Sequence, residues 1–349
     1  MIPHETYMQR CVQLAQNGLG TTYPNPLVGS VLVYEGKIIG EGWHQKAGGP
    51  HAEVVAINAV KNKSLLAKAT LYVSLEPCSH FGKTPPCSNL IIEKQIPKVV
   101  IGTVDPNLQV AGKGIEKLQK AGIEVTLGIL QKECNELNKR FFTFHQKKRP
   151  YILLKWAQSQ DGFLAPMNEQ RTENQPFWIS NSYSKQRVHK WRTEEQAILV
   201  GTQTVLDDNP QLNSREWWGN NPLRVALDRT HKIPAQAHLL DKQIPTLIVT
   251  EKDSTREYEN LNYEKIPFDE NLAESICNVL YQKGIQSVIV EGGAQTLNTF
   301  IAKGLWDEAR IITGSQTFGN GITAPKVSGI YLSKTKLESD ELQIIRNYD

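Results

Sequence analysis

Cysteine is scarce in this chain of 349 residues: there are five, Cys11, Cys78, Cys87, Cys134 and Cys277. So small and odd a set argues against a disulfide framework and leaves thiols for a metal in a reducing compartment. Long apolar runs are missing too, which argues against a membrane-spanning helix. The opening, MIPHETYMQRCVQLAQNGLG, has polar and acidic residues where a secretion signal needs an apolar centre. A cytoplasmic protein with no membrane partner is expected. No stretch interleaves Lys and Arg with aromatics as a nucleic-acid groove does. The nearest, Lys147-Lys148-Arg149, precedes Pro150, where a linker is expected. The second half lacks a GxGxxG after its first strand and so offers no Rossmann dinucleotide fingerprint.

What is present is globular: 40% apolar and 21% charged residues, at a length that suggests two domains. The net charge of +3 conceals an asymmetry. Residues 1–150 hold 18 Lys+Arg against 11 Asp+Glu, whereas residues 151–349 hold 21 against 25, so the first part suits an anionic ligand.

Periodicity predicts an α/β alternation. In the first half, helices are expected near 5–17, 51–60, 87–94, 114–121 and 135–146. Strands are expected at 28–34, 37–42, 70–74, 98–104 and 124–128. Pro150 and the charged residues before it mark a boundary, giving domains 1–147 and 148–349. The second domain has strand candidates at 151–157, 196–201, 223–228, 246–250, 287–291 and 308–312. Its last residues, QIIRNYD, end short of a further strand that would be expected.

Three short elements carry chemistry. His51-Ala52-Glu53 follows Gly48-Gly49-Pro50 and opens a helical run, which places His51 and Glu53 in a first turn. Glu76-Pro77-Cys78 follows a strand, and Pro85-Pro86-Cys87 opens another helix. One imidazole and two thiolates leave a tetrahedral zinc ion with one open position, the catalytic arrangement. Glu53, not itself a ligand, is the general acid/base that takes a proton from the metal-bound water and passes it to a departing amine. The order H-x-E, P-C, C is that of the zinc deaminases. A structural zinc would instead need a fourth protein ligand, with His80 nearest.

Eight residues separate Cys78 from Cys87, in CSHFGKTPPC, where the usual signature has two. With Asn25-Pro26-Leu27-Val28-Gly29, His44 and Asp105-Pro106-Asn107, this loop closely resembles the bifunctional deaminase/reductase family of riboflavin biosynthesis. The resemblance implies a cytidine-deaminase-like three-layer domain followed by a dihydrofolate-reductase-like domain. It implies zinc-dependent deamination of 2,5-diamino-6-(5-phosphoribosylamino)pyrimidin-4(3H)-one, then NADPH-dependent reduction of the ribosyl group to ribityl. Asn25, His44 and Lys83 would contact the first substrate.

In the second domain, Val290-Glu291-Gly292-Gly293-Ala294-Gln295-Thr296-Leu297 reads as a strand ending in a glycine pair that opens a helix, a turn able to cradle phosphate. By resemblance, Ala157, Trp178, Thr204, Asp208, Gly293, Ala294, Gln295 and Thr296 would line the NADPH site. Lys155, Arg192, Leu212, Arg215 and Glu291 would face the reductase substrate, the two arginines suiting a phosphate. One zinc ion per chain, NADPH, a small-molecule substrate, no nucleic acid and a homo-oligomer are the remaining expectations. The competing reading is a deaminase of tRNA or single-stranded nucleic acid, against which the long inter-cysteine loop and the acidic second half both speak.

Overall fold

The computed structural model describes residues 3–79, 85–107, 111–167, 178–253 and 258–348. The chain divides into two compact units, Met1–Lys148 and Arg149–Asp349. The first runs α1 (His4–Gln16), β1 (Gly29–Tyr34), β2 (Lys37–Trp43), α2 (Ala52–Ala59), β3 (Thr70–Leu75), α3 (Cys87–Glu93), β4 (Lys98–Thr103), α4 (Lys113–Lys120), β5 (Glu124–Leu127), α5 (Gln131–Leu137) and α6 (Lys139–Lys147). Its sheet has the order β2-β1-β3-β4-β5. The β1 pairings are antiparallel, while β3, β4 and β5 pair in parallel.

Side-chain alternation splits the core into two layers. Leu32, Leu71, Val73, Val99 and Ile101 face Ala56, Ile57, Ile91 and Leu118 of α2, α3 and α4. Val31, Val33, Tyr72 and Val100 face Met8, Cys11 and Val12 of α1 and Cys134 of α5. Parallel β3 and β4 are covered on both faces, as their continuous apolar runs require. This is the expected three-layer, cytidine-deaminase-like arrangement.

One element departs from expectation. The single helix foreseen over 135–146 is two, α5 and α6, parted at Asn138, whose backbone leaves the helical region at φ −103° and ψ 21°. The Asn138 side chain is buried and bonds both ways to one residue: its Oδ1 accepts from Leu27 N and its Nδ2 donates to Leu27 O, each at 2.8 Å. Both backbone groups of Leu27 are thereby satisfied away from any strand, a stronger demand than helix continuity.

The second unit runs β6 (Tyr151–Gln158), β7 (Phe163–Pro166), α7 (Ser182–Glu194), β8 (Ala197–Gly201), α8 (Thr202–Asp208), β9 (Leu223–Leu227), β10 (Thr246–Thr250), β11 (Leu261–Lys265), α9 (Leu272–Gln282), β12 (Ser287–Glu291), α10 (Ala294–Ala302), β13 (Glu308–Thr313), β14 (Gly321–Thr323), β15 (Ile330–Leu337) and β16 (Asp340–Arg346). Its nine-stranded sheet has the order β11-β10-β9-β8-β12-β6-β13-β16-β15. The strands from β11 to β13 are parallel; β16 and β15 add an antiparallel edge. Apolar side chains of β6, β8, β9, β10 and β12 form a core on each face. Residues 343–346 fall inside β16, so the strand thought to be missing is present, together with β15, β7, β11 and β14. Among the described residues no helix is long and apolar enough to cross a membrane.

Candidate active site

In the first unit, β3 and the N-terminal ends of α2 and α3 bring the three predicted ligands together. His51 caps α2 in extended conformation, so its ring projects from the helix end. Cys78 lies three residues beyond β3, and Cys87 is the first residue of α3. The His51 Nδ1 is 3.6 Å from Cys78 Sγ and 3.3 Å from Cys87 Sγ, and all three donor atoms lie within 4.8 Å of one another. A tetrahedral zinc ion with ordinary Zn–S and Zn–N bonds has N···S edges of about 3.6 Å, so the donor set already has the spacing the ion requires.

The protonation of the thiols points the same way. A hydrogen bond from the Cys87 thiol and the His51 ring hold Cys78 below the usual thiol range against the effect of burial, while Cys87 is pushed up by the same pairing. The backbone N–H of Cys87 also donates to Cys78 Sγ at 3.2 Å. A bound dication would take both sulfurs as thiolates and release the remaining thiol proton. Beside them Glu53 is 3% exposed; burial, with the charge of Cys78, raises its carboxyl to about 7.

Asn25 and His44 stand next to this cluster. The His44 ring is 5.5 Å from that of His51, edge to face. Its Nδ1 lies 2.9 Å from Pro50 O, a pure acceptor, so Nδ1 carries the proton and Nε2 accepts from Asn25 Nδ2 at 3.0 Å. Burial holds His44 below its ordinary pKa, in keeping with a neutral ring. The chain of bonds leaves Asn25 Oδ1 as the acceptor directed away from His44. Lys83 and His80 lie outside the described residues.

Glu76 was not singled out by sequence. It is 4% exposed, and its carboxylate accepts four backbone N–H groups: Asp105 and Gly112 on Oε2 at 3.3 and 2.9 Å, Gly114 and Ile115 on Oε1 at 2.8 and 3.3 Å. Its only sequence signal was its place beside Pro77-Cys78.

In the second unit a cleft of about 450 Å³ opens at the carboxyl ends of β6, β8 and β12. This is where open parallel sheets bind ligands. Its walls include Lys155, Ala157, Trp178, Arg192, Thr204, Asp208, Leu212, Glu291, Gly293, Ala294 and Gln295, all expected there, the Gly292 of the glycine-pair turn, and Gln203 and Asp207, which were not assigned to a site. Two predicted residues are elsewhere. Arg215 donates to Asn213 Oδ1 at the surface, because its loop turns outward, and Thr296 is buried in the first turn of α10; neither lines the cleft.

The cleft has two chemically distinct ends. At one, Gly292 has φ +124°, and a Cβ there would lie 2.8 Å from Thr204 Oγ1. Gly293 N donates to the same oxygen at 3.1 Å, and no side chain caps α10. The N–H groups of that first turn, unpartnered among the described residues and set in a cradle only glycine fits, suit a cofactor phosphate. At the other end Glu291 accepts from Arg192 at 3.0 Å and lies 3.7 Å from Lys155 Nζ. Burial works to raise the Glu291 carboxyl, but Arg192 and Lys155 outweigh it and hold it below its usual range; burial lowers the Lys155 ammonium despite Glu291. Arg192 Nε and Glu291 Oε1 are buried without a hydrogen-bond partner among the described residues, an unmet demand that a polar ligand can satisfy. Leu212 borders them at φ +51°, a strained conformation for a branched residue.

Fold and sites define a zinc-dependent hydrolytic deaminase joined to a dihydrofolate-reductase-like enzyme. The family model described as "Cytidine and deoxycytidylate deaminase zinc-binding region" matches residues 1–103, and the model described as "RibD C-terminal domain" matches residues 150–347. The chain is 40% identical over 323 residues to "Riboflavin biosynthesis protein RibD" of Aquifex aeolicus (strain VF5), covering 91% of this chain and 89% of the relative. Against the protein of the same name from Escherichia coli (strain K12) the identity is 34% over 334 residues, covering 90% and 89%. Among solved structures, the diaminohydroxyphosphoribosylaminopyrimidine deaminase/5-amino-6-(5-phosphoribosylamino)uracil reductase of Thermotoga maritima matches with a TM-score of 0.88 and 38% identity, over 99% of this chain and 98% of that one. Acinetobacter baumannii RibD matches with a TM-score of 0.87 and 32% identity, over 99% of both chains.

The chain belongs to the RibD family. It is a bifunctional deaminase and reductase of riboflavin biosynthesis, with zinc in the first unit and NADPH as the reductant in the second.

Proposed function

We propose that residues 1–147 hydrolyse the 2-amino group of 2,5-diamino-6-(5-phosphoribosylamino)pyrimidin-4(3H)-one, and that residues 148–349 then reduce the ribosyl group of the product to ribityl. The observation that carries the first half is the gathering of His51 Nδ1, Cys78 Sγ and Cys87 Sγ within 4.8 Å beside buried Glu53. When bound, zinc lowers the pKa of a coordinated water to about 7 and so supplies hydroxide at neutral pH. Glu53 receives that water's proton and returns it to the amine nitrogen, so that water enters and ammonia leaves. Asn25 Oδ1, aimed by His44, accepts a pyrimidine N–H. Lys83 keeps its role as a contact to the phosphoribosyl group on the sequence resemblance alone.

In the second half, NADPH supplies the hydride when bound. The turn at 292–295 and Thr204 hold its phosphates, with Ala157, Trp178 and Asp208 along its path. Lys155 and Glu291 position the ribosyl hydroxyls, and Arg192 meets the substrate phosphate, the role proposed for Arg215 requiring a movement of its loop. Leu212 closes that side of the cleft. A small molecule is the only substrate in this reading, without nucleic acid. Five thiols, none in a disulfide, support a cytoplasmic setting.

A homo-oligomer belongs to the same reading. It is supported by β15, an edge strand that exposes Ile330, Tyr331 and Leu332 by 51%, 54% and 42%. Light scattering is expected to give a mass above the 39.2 kDa of one chain; a monomer at micromolar concentration refutes this part.

The order of reactions is tested by giving the zinc-loaded protein the diaminopyrimidine without NADPH. One ammonia per substrate is expected, followed by one NADPH oxidised when the cofactor is added. Oxidation of NADPH on a substrate that still holds its amino group contradicts the proposal.

A further inference from the structure

The carboxylate of Glu76 is buried two residues before a metal ligand and, among the described residues, is held by four backbone N–H groups rather than by a cation. Burying a charge in this way is costly unless every lone pair is met. A charge-assisted bond to backbone N–H at a helix start is among the stronger ways of meeting it. The four donors come from Asp105, just past β4, and from Gly112, Gly114 and Ile115 at the start of α4. One carboxylate therefore ties the end of β3 to the segment after β4 and to the next helix.

The joint is tight on the ligand side. Glu76 N donates to Thr103 O at 2.9 Å, which continues the pairing of β3 with β4 up to the ligand turn. A Cβ on Gly114 would stand 2.1 Å from Pro77 O, so the first turn of α4 rests directly on the backbone that leads into Cys78. From the opposite side, Ser88 N donates to Cys78 O at 3.1 Å and Cys87 N to Cys78 Sγ at 3.2 Å. Cys78 is gripped on one flank by α3 and on the other by α4, and the second grip runs through Glu76.

We propose that Glu76 is a positioning residue of the deaminase centre, clamping the Cys78 turn onto the start of α4 so that Cys78 Sγ is held at ligand distance from His51 and Cys87. The inference rests on the zinc-centre reading above. It also gives the backbone N–H groups of Asp105, Gly112, Gly114 and Ile115 a part in setting the first thiolate.

The test uses the full chain, freed of metal and titrated with Co2+, whose thiolate charge-transfer and d–d bands report the number and arrangement of sulfur ligands. Wild type is expected to give the spectrum of a tetrahedral site with two thiolates; its absence there refutes the zinc-centre reading, whatever Glu76 does. Glu76→Gln keeps the side-chain size but turns one accepting oxygen into a donor facing N–H groups. It is expected to weaken Co2+ binding by about 10- to 100-fold and to diminish the charge-transfer band. The kcat/KM for reducing already deaminated substrate stays at the wild-type value. Gly114→Ala forces the same joint from its other side with Glu76 intact, and the same spectral change is expected. If Glu76→Gln does not accumulate as folded protein, Gly114→Ala decides on the same readout. Wild-type Co2+ affinity and spectrum in the variants obtained overturn the proposal.

Discussion

Glu53→Gln is expected to stop ammonia release while leaving reduction of the deaminated intermediate at the wild-type rate. The amide matches the carboxyl in size, and at 3% exposure the cavity around it is already formed, so the substitution changes proton transfer and little else. Burial and the neighbouring thiolate keep the Glu53 carboxyl near neutrality, where it can both accept and return a proton; an amide does neither. Removing a positioned general acid/base costs roughly 10²- to 10⁴-fold, and the loss falls on kcat for deamination. Zinc content stays at one per chain, because Glu53 is not among the three donor atoms. Loss of both activities, or of the metal, contradicts this division of labour.

The converse result is expected from Gly292→Ala: deamination is retained and NADPH binding is weakened. Gly292 has φ +124°, a region that side-chain-bearing residues hardly enter, at a cost of about 1–3 kcal/mol. The added Cβ would lie 2.8 Å from Thr204 Oγ1, the oxygen that accepts from Gly293 N at 3.1 Å. The free variant relieves this by re-forming the turn, and the cofactor must restore it on binding. Returning roughly 2–3 kcal/mol corresponds to a rise in Kd of roughly 30- to 150-fold, measurable by titrating NADPH fluorescence. An unchanged Kd shows that the cofactor phosphate does not use this turn.

The zinc ligands were legible because each sits where strand or helix ends, and residue type, order and local context identified them without tertiary information. The central parallel strands were legible for a related reason: SVIVE and TLIVT are buried along their whole length and read as mainly apolar runs, whereas the parallel edge strand β11 was not foreseen. What escaped notice depends on contacts distant in sequence. Glu76 binds N–H groups 29 to 39 residues away, and Asn138 bonds Leu27 across 111 residues; neither set of partners can be read from the neighbouring sequence. The β15–β16 hairpin was missed because YLSKTKL is mostly exposed and lacks the apolar alternation of a half-buried strand. Arg215 and Thr296 were assigned by resemblance, which carries residue identity but not the turn of a loop or the inward face of a helix. The cleft's Gln203 and Asp207 lie in α8 beside predicted Thr204 and Asp208, and only the fold shows that four of its residues share one wall.

The zinc centre is tested most directly by X-ray absorption at the zinc edge of the metal-loaded full chain. The expected coordination is two sulfurs at about 2.3 Å and two lighter atoms, nitrogen and oxygen, at about 2.0–2.1 Å. One of the lighter atoms is the His51 ring and the other an exchangeable oxygen that is not supplied by the protein. A third sulfur, or a fourth ligand from the chain that closes the open position, would contradict a hydrolytic site built on His51, Cys78 and Cys87.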